Sequence, residues 1–225
     1  MVALTLSASH VAFLFIQEGV NDRFDAQVAA TTVAIERRLE AYEQVLAGAK
    51  GLFAASQQVD REEWISFVAT QKADERFPGI QGVGYFPRVS QDQLQAHIEQ
   101  VRSEGFPDYT VRPAGDRAEY YPIVFIEPLD ARNQRVFGFD IYSEPVRRAA
   151  VEEARDTGMT TITRKITLVQ ETSQDVQAGF LMMMPIYEDE RAAMEVDERR
   201  ASIKGFVYSP FRMNDLMNGI SGPTF

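Results

Sequence analysis

From Glu18 to about Ser56 the chain has no proline, and glycine only at Gly19, Gly48 and Gly51, so little interrupts a helix there. Within that stretch Val28, Ile35, Tyr42 and Ala49 recur every seven residues, and Thr32, Leu39, Leu46 and Phe53 recur with the same period, offset by four. The two series are the d and a positions of a heptad repeat, and Glu36, Arg37, Arg38, Glu40 and Glu43 fall outside the seam. A stripe two positions wide suits the seam of a homodimeric stalk better than the broad buried face of a helix packed on one domain. Packing on its own domain is the other reading.

Beyond the stalk the pattern shortens. Asp60 followed by Glu63 is a capping box that opens a short helix bearing Trp64, Phe67 and Val68. Pro78-Gly79 ends a connection, and 80–86 reads as a strand. Ser90 and Gln93 form a second box, for a helix over 91–104 with Leu94, His97, Ile98 and Val101 on one face. Strands are predicted at 109–112 and 121–126. Ser143 is the expected cap of a helix that Gly158 ends, striped by Val146, Ala150 and Ala154, with Glu144 and Arg148 spaced as an i,i+4 pair. Strand patterns follow at 159–163, 165–170, 179–187 and 203–209. The run 180–187 is apolar on both faces, which predicts a central strand or a pocket wall, with Pro185 at its end or at a bulge. Glu188–Arg200 reads as a charged loop, and Pro210 precedes a last helical piece at 211–218. Helices grouped with an antiparallel sheet, without βαβ alternation, give an α+β class.

Residues 1–17 contain no Asp, Glu, Lys or Arg, yet Thr5, Ser7, Ser9 and His10 dilute the segment, and no basic region precedes it as in a signal peptide. It reads either as an apolar helix packed on its own domain or as the last turns of a transmembrane helix that leads into the stalk. The remaining composition chiefly excludes. With 23 Lys plus Arg against 33 Asp plus Glu the net charge is −10, the wrong sign for nucleic-acid binding. The absence of cysteine removes disulfides, thiol nucleophiles and Cys-ligated metals, and fits a Gram-negative periplasm or a cytosol. Two histidines cannot build a His-rich metal site, and GxSxG, P-loop and GxGxxG motifs are absent. No metal, no cofactor and no catalytic constellation is expected in this chain.

The stretch from Val136-Phe-Gly-Phe-Asp140 through Ser143, Arg147-Arg148 and Thr157-Gly158 resembles the core of the CHASE domain, the extracellular sensory domain of histidine kinases and nucleotide cyclases. Pro78-Gly-Ile-Gln-Gly-Val-Gly-Tyr85, Pro185-Ile-Tyr187 and Gly205-Phe-Val207 match other blocks of that family in order, so the resemblance covers about residues 45 to 220. It implies a PAS-like antiparallel sheet with flanking helices after a stalk helix. The expected division is 1–17 apolar or transmembrane end, 18–56 stalk, 57–210 ligand-binding subdomain and 211–225 the start of a membrane-proximal part. It further implies a periplasmic domain anchored in the inner membrane by the full-length protein, a histidine kinase or diguanylate cyclase of a two-component or related signalling system. The fragment itself is then non-catalytic.

From the cytokinin-receptor branch of the family the resemblance carries Asp140, Ile162 and Thr172 into a ligand site, walled by Phe137, Phe139, Leu168, Phe180, Met182 and Met184. A cavity of a few hundred Å³ is expected among them, for an unidentified small molecule. Asp140 has a second reading, as a carboxylate bonding backbone N–H groups on the approach to the helix at Ser143. Arg147 and Arg148 read either as anion ligands or as ion-pair residues of that helix, and His97 as a partly exposed structural residue. A protein-interaction module without a small-molecule pocket is the alternative function.

Overall fold

The computed structural model describes residues 2–71, 79–188 and 195–221, with side chains described from Val20 on. The apolar side chains of residues 1–17 and Pro78 therefore lie outside the described residues. Two compact units divide the chain, Met1–Ala41 and Tyr42–Phe225. One helix, α1 (Val2–Ala55), runs through 54 residues, as its lack of proline predicts. In the first unit Val20, Phe24 and Val28 lie exposed at four-residue spacing, and Phe24 keeps 65% of its surface. Among the described residues no helix is long and apolar enough to cross a membrane.

The second unit is built on a six-stranded antiparallel sheet in the order β4-β1-β8-β7-β5. Its strands are β1 (Val83–Pro87), β4 (Phe125–Glu127), β5 (Thr161–Ile162), β6 (Ile166–Thr167), β7 (Ala178–Tyr187) and β8 (Ile203–Arg212), with β6 also paired to β7. A separate ribbon joins β2 (Val89–Ser90) to β3 (Glu119–Tyr120). The helices are α2 (Arg61–Gln71), α3 (Leu94–Ser103), α4 (Pro145–Thr157), α5 (Val196–Ser202) and α6 (Met213–Ser221).

Side chains alternate across each strand, so the sheet has two cores. Phe86, Leu181, Met183, Phe206 and Tyr208 pack with Tyr121 and with Val151 and Ala154 of α4. The opposite face carries Tyr85, Phe125, Phe180 and Phe211. There Tyr42 of α1 meets Phe211 at 4.7 Å between ring centroids, Phe53 meets Tyr85 at 4.3 Å, and Trp64 of α2 stacks on Phe125 at 5.5 Å. Tyr42, Val45, Leu46 and Ala49 are buried within this unit. From Tyr42 onward the heptad stripe is thus spent on the chain's own domain.

Local signals hold unevenly. The Asp60–Glu63 box forms, with Glu63 N–H donating to Asp60 at 2.8 Å and Asp60 N–H donating to Glu63 at 3.1 Å. Gly158 ends α4 in the left-handed region at φ 75°. The cap of α4 is Glu144 rather than Ser143, because Pro145 takes the first helical position and the Glu144 carboxylate accepts from the Val146 and Arg147 N–H groups. Glu144 then pairs with Arg147 at 3.1 Å, while Arg148 donates to the Tyr142 carbonyl. No strand forms over 109–112, where only an isolated bridge joins Arg112 to Phe139. The strand predicted at 121–126 shrinks to β4, since Pro122 has no N–H to give a ladder. Pro210 does not start the last helix: β8 continues through it to Arg212, and the Pro210 carbonyl accepts from Gln81 N–H at 2.8 Å. Pro185 sits inside β7, one residue before a bulge at Ile186/Tyr187, beyond the stretch that β5 pairs. Part of the expected charged loop is helix α5, and its residues 189–194 lie outside the described ones.

Asp156, at the end of α4, accepts from Arg155 Nε at 2.8 Å and Arg200 Nη2 at 2.6 Å, and these cations draw its carboxyl down to about 2. The folded value lies below the unfolded one. Stability from this group is therefore fully present above about pH 4 and lost as pH falls toward 2. We expect Asp156→Asn to cost about 1 kcal/mol at pH 7, the pair being partly solvated, and to flatten the acid limb of a stability–pH curve. An unchanged acid limb would assign that limb to other carboxylates.

Candidate ligand site

Asp140 is the residue on which the sequence reading turns, and the chain holds it from both sides. Gly138, at φ 81°, lets the backbone approach Thr110 so closely that a Cβ would strike its carbonyl. The following residues bridge to Arg112 and Pro122. Asp140 is thereby sunk with no exposed surface. Its Oδ1 accepts from Tyr121 N–H at 2.8 Å and Tyr142 N–H at 3.0 Å, and its Oδ2 lies 2.9 Å from Arg117 Nε. Burial pushes the carboxyl above its ordinary value, while the two N–H donors and Arg117 pull the other way. Oδ1 is taken by the two backbone N–H groups, and Oδ2 faces Arg117 as an ion-pair partner without a well-aligned hydrogen bond. This is the structural reading of Asp140.

The remaining predicted residues do not converge on it. Phe139 and Leu168 do meet, at a cavity of about 10 Å³ that Ile123, Leu181, Tyr208 and Arg147 also line. That is room for roughly one water, against the few hundred Å³ expected. Ile162 is 41% exposed on β5. The Thr172 hydroxyl is engaged with Gln174 in the loop before β7. Phe137 packs elsewhere, against Phe106 and Tyr109, beside an open cavity of about 440 Å³. Phe180, Met182 and Met184 lie on the α1 face of the sheet, where Phe180 stacks on Phe211 at 4.8 Å.

Three side chains account for the missing space. β7 turns Leu181 and Met183 toward α4. Arg147, expected on the helix surface, is buried there. Its guanidinium lies 5.4 Å from the Phe139 ring centroid and donates to the Thr167 carbonyl at 2.9 Å and to Glu144 at 3.1 Å. Burial lowers its pKa and Glu144 raises it. The signal for Arg147 was its place in the helical stripe: Arg147, Ala150, Val151 and Ala154 share the buried face of α4.

The opposite face holds a larger cavity, of about 650 Å³, between the end of α1, the start of α2, α3, and the strands β4, β1 and β8. His97 lines it and bonds Tyr109 Oη at 3.0 Å, and burial pushes its imidazole down to about 4, so it is neutral at pH 7. Sequence reasoning passed over this cavity because its walls come from five separate stretches of the chain.

A sheet of this order, with α4 on one face and the last turns of α1 on the other, meets a direct match: the family model of the CHASE domain fits residues 57–224. The chain belongs to the CHASE family. CHASE domains are extracellular sensory domains of histidine kinases and cyclases, not catalytic units. The chain is also similar to hybrid signal transduction histidine kinase A of Dictyostelium discoideum, 26% identical over 153 residues. That match covers 62% of this chain and 7% of the relative, so the chain spans a small part of the relative's length. In this CHASE domain the space beside Phe139 and Leu168 is filled, Ile162 lines a separate opening of about 320 Å³ with Val146 and Ala150 of α4, and the cavity of about 650 Å³ lies on the α1 side.

Proposed function

We propose that this CHASE domain is the periplasmic sensor of an inner-membrane signalling protein, a histidine kinase or diguanylate cyclase, and that occupancy of the domain by a small molecule reaches the output through α1. The observation that carries the reading is the continuity of one helix from Val2 to Ala55, whose last turns form part of the domain's core through Tyr42, Leu46 and Phe53. A shift of the sheet relative to those side chains is passed to the helix that carries them. Exposed Val28, the first d position of the heptad series, supports a parallel homodimer over that part of the helix. A ligand then acts through its different affinity for two arrangements of the paired helices.

The test is helical phase. In the full-length protein, inserting one residue after Ala30 rotates everything beyond it by about 100°, whereas seven residues restore the register of a heptad to within about 20°. We expect kinase or cyclase output to lock on or off with one inserted residue and to return with seven. Output indifferent to both insertions would overturn transmission through α1.

A further inference from the structure

Resting on the sensor reading above, we propose that the ligand occupies the cavity on the α1 face, and that it is a small zwitterion with an apolar or aromatic body, of the amino-acid class. The volume of about 650 Å³ is in the usual range for small-ligand sites and too small for a folded partner. Phe53, Tyr85 and Phe125 supply its apolar wall, with ring centroids 4.3 Å and 6.0 Å apart in turn.

Arg61 supplies the cation, and it is already fixed. Its guanidinium lies 4.3 Å from the Phe106 ring and 5.0 Å from the Phe125 ring, with Nη1 donating to the Val124 carbonyl and Nη2 to Glu104. Arg61 Nε has no hydrogen-bond partner and under 1 Å² of accessible surface, so an occupant reaches it only when the guanidinium tilts toward the cavity. A buried donor without an acceptor is rare, and a ligand carboxylate is the acceptor that a guanidinium N–H binds best. Glu62, the next residue, is exposed and makes no ion pair among the described residues, and Glu104, just past the end of α3, keeps one oxygen beyond its pair with Arg61 on the cavity lining. These carboxylates suit an ammonium group. With Asp60 the lining has three carboxylates against Arg61 and Lys204, which disfavours a phosphate or a dicarboxylate and favours a molecule carrying one charge of each sign. The cavity is also where an occupant would touch Phe53, a side chain of α1 itself.

Thermal shift and calorimetry on the 225-residue chain test this with the twenty standard amino acids as probes, followed by paired analogues such as phenylalanine, phenethylamine and 3-phenylpropionate. We expect at least one apolar amino acid to raise the melting temperature saturably, and each analogue lacking one charge to bind about tenfold or more weakly. Glu62→Gln and Gln58→Trp, both at exposed positions of the cavity lining, should weaken binding without moving the unliganded melting temperature. Arg61→Lys keeps the charge but loses Nε and should weaken carboxylate-bearing probes selectively. Tyr208→Phe, on the other face, should leave binding unchanged. No saturable shift with any amino acid, equal binding of a single-charge analogue, or binding sensitive to Tyr208→Phe but not to Glu62→Gln and Gln58→Trp would each overturn the assignment. Because the insertion experiment reads output without reference to a ligand, its success beside a failure here removes this site and leaves the sensor reading in place.

Discussion

Asp140→Ala is expected to unfold the domain under conditions where the parent chain is stable. The substitution strips the Tyr121 and Tyr142 N–H groups of their acceptor and leaves Arg117 facing a buried hole. Removing one member of a buried ion pair costs about 3–5 kcal/mol, and an orphaned N–H about 1–3 kcal/mol. Even without adding these in full, the loss approaches the roughly 5–15 kcal/mol that holds a domain of this size together. Asp140→Asn keeps an acceptor for the two N–H groups and loses only the charge, so its denaturant midpoint should lie between those of the parent and the Ala variant. Acid should not reproduce the effect. The folded carboxyl sits above its ordinary value, so the native state takes up this proton more readily than the unfolded chain, and stability from this group grows as pH falls through the folded value. Urea unfolding followed by circular dichroism measures both variants. An Asp140→Ala chain with the parent's midpoint would return Asp140 to the role of a ligand group.

The same residue shows what the sequence could and could not say. Asp140 was legible as special, because a short acidic residue between an extended segment and a helix start has backbone donors within reach, and that alternative was visible beside the ligand role. Which alternative holds depends on Arg117, twenty-three positions earlier, and no local spacing announces that partner. The strand 178–187 was legible as central from its unbroken apolar run, yet the same run hid its facing. With every residue apolar, nothing distinguished Leu181 and Met183, which pack toward α4, from Phe180, Met182 and Met184, which do not. One wrong parity moved three predicted wall residues to the opposite side of the sheet. Caps fared better where a polar side chain reaches its own backbone, as at Asp60, and worse at Ser143, where Pro145 handed the role to Glu144. The charged segment around 196–202 was read as solvated loop because its hydrophobic content is low. Its helix is supported by a Glu195–Glu198 capping box, with Arg200 bound to Asp156.

Leu46→Asp and Leu39→Asp should part company, although both occupy the same position of one heptad series. Leu46 has no exposed surface in the second unit, and beside it Tyr42, Val45 and Ala49 are buried as well. An aspartate there loses a fully buried aliphatic side chain and buries an unpaired carboxylate, which places it among the exceptional substitutions of about 4–5 kcal/mol or more. Leu39 belongs to the first unit and is half-buried, so its replacement should cost under about 1 kcal/mol. The homodimer proposed for the early part of α1 makes the opposite demand, since an aspartate at Leu39 places like charges across the seam. These 225 residues contain no cysteine, so a single Val28→Cys reports pairing in a full-length protein whose other cysteines, if any, are replaced by serine. Leu39→Asp should suppress that cross-link while the domain keeps its melting temperature, and Leu46→Asp should lower the melting temperature by ten degrees or more, at roughly 2–4 °C per kcal/mol. If Leu46→Asp instead melts like the parent and only loses the cross-link, the seam runs through the second unit, and the burial of Leu46 against its own sheet is not what the heptad is for. If Leu39→Asp cross-links like the parent, the exposed stripe at Val20, Phe24 and Val28 has another use, and the helix carries its signal without a partner along that stretch.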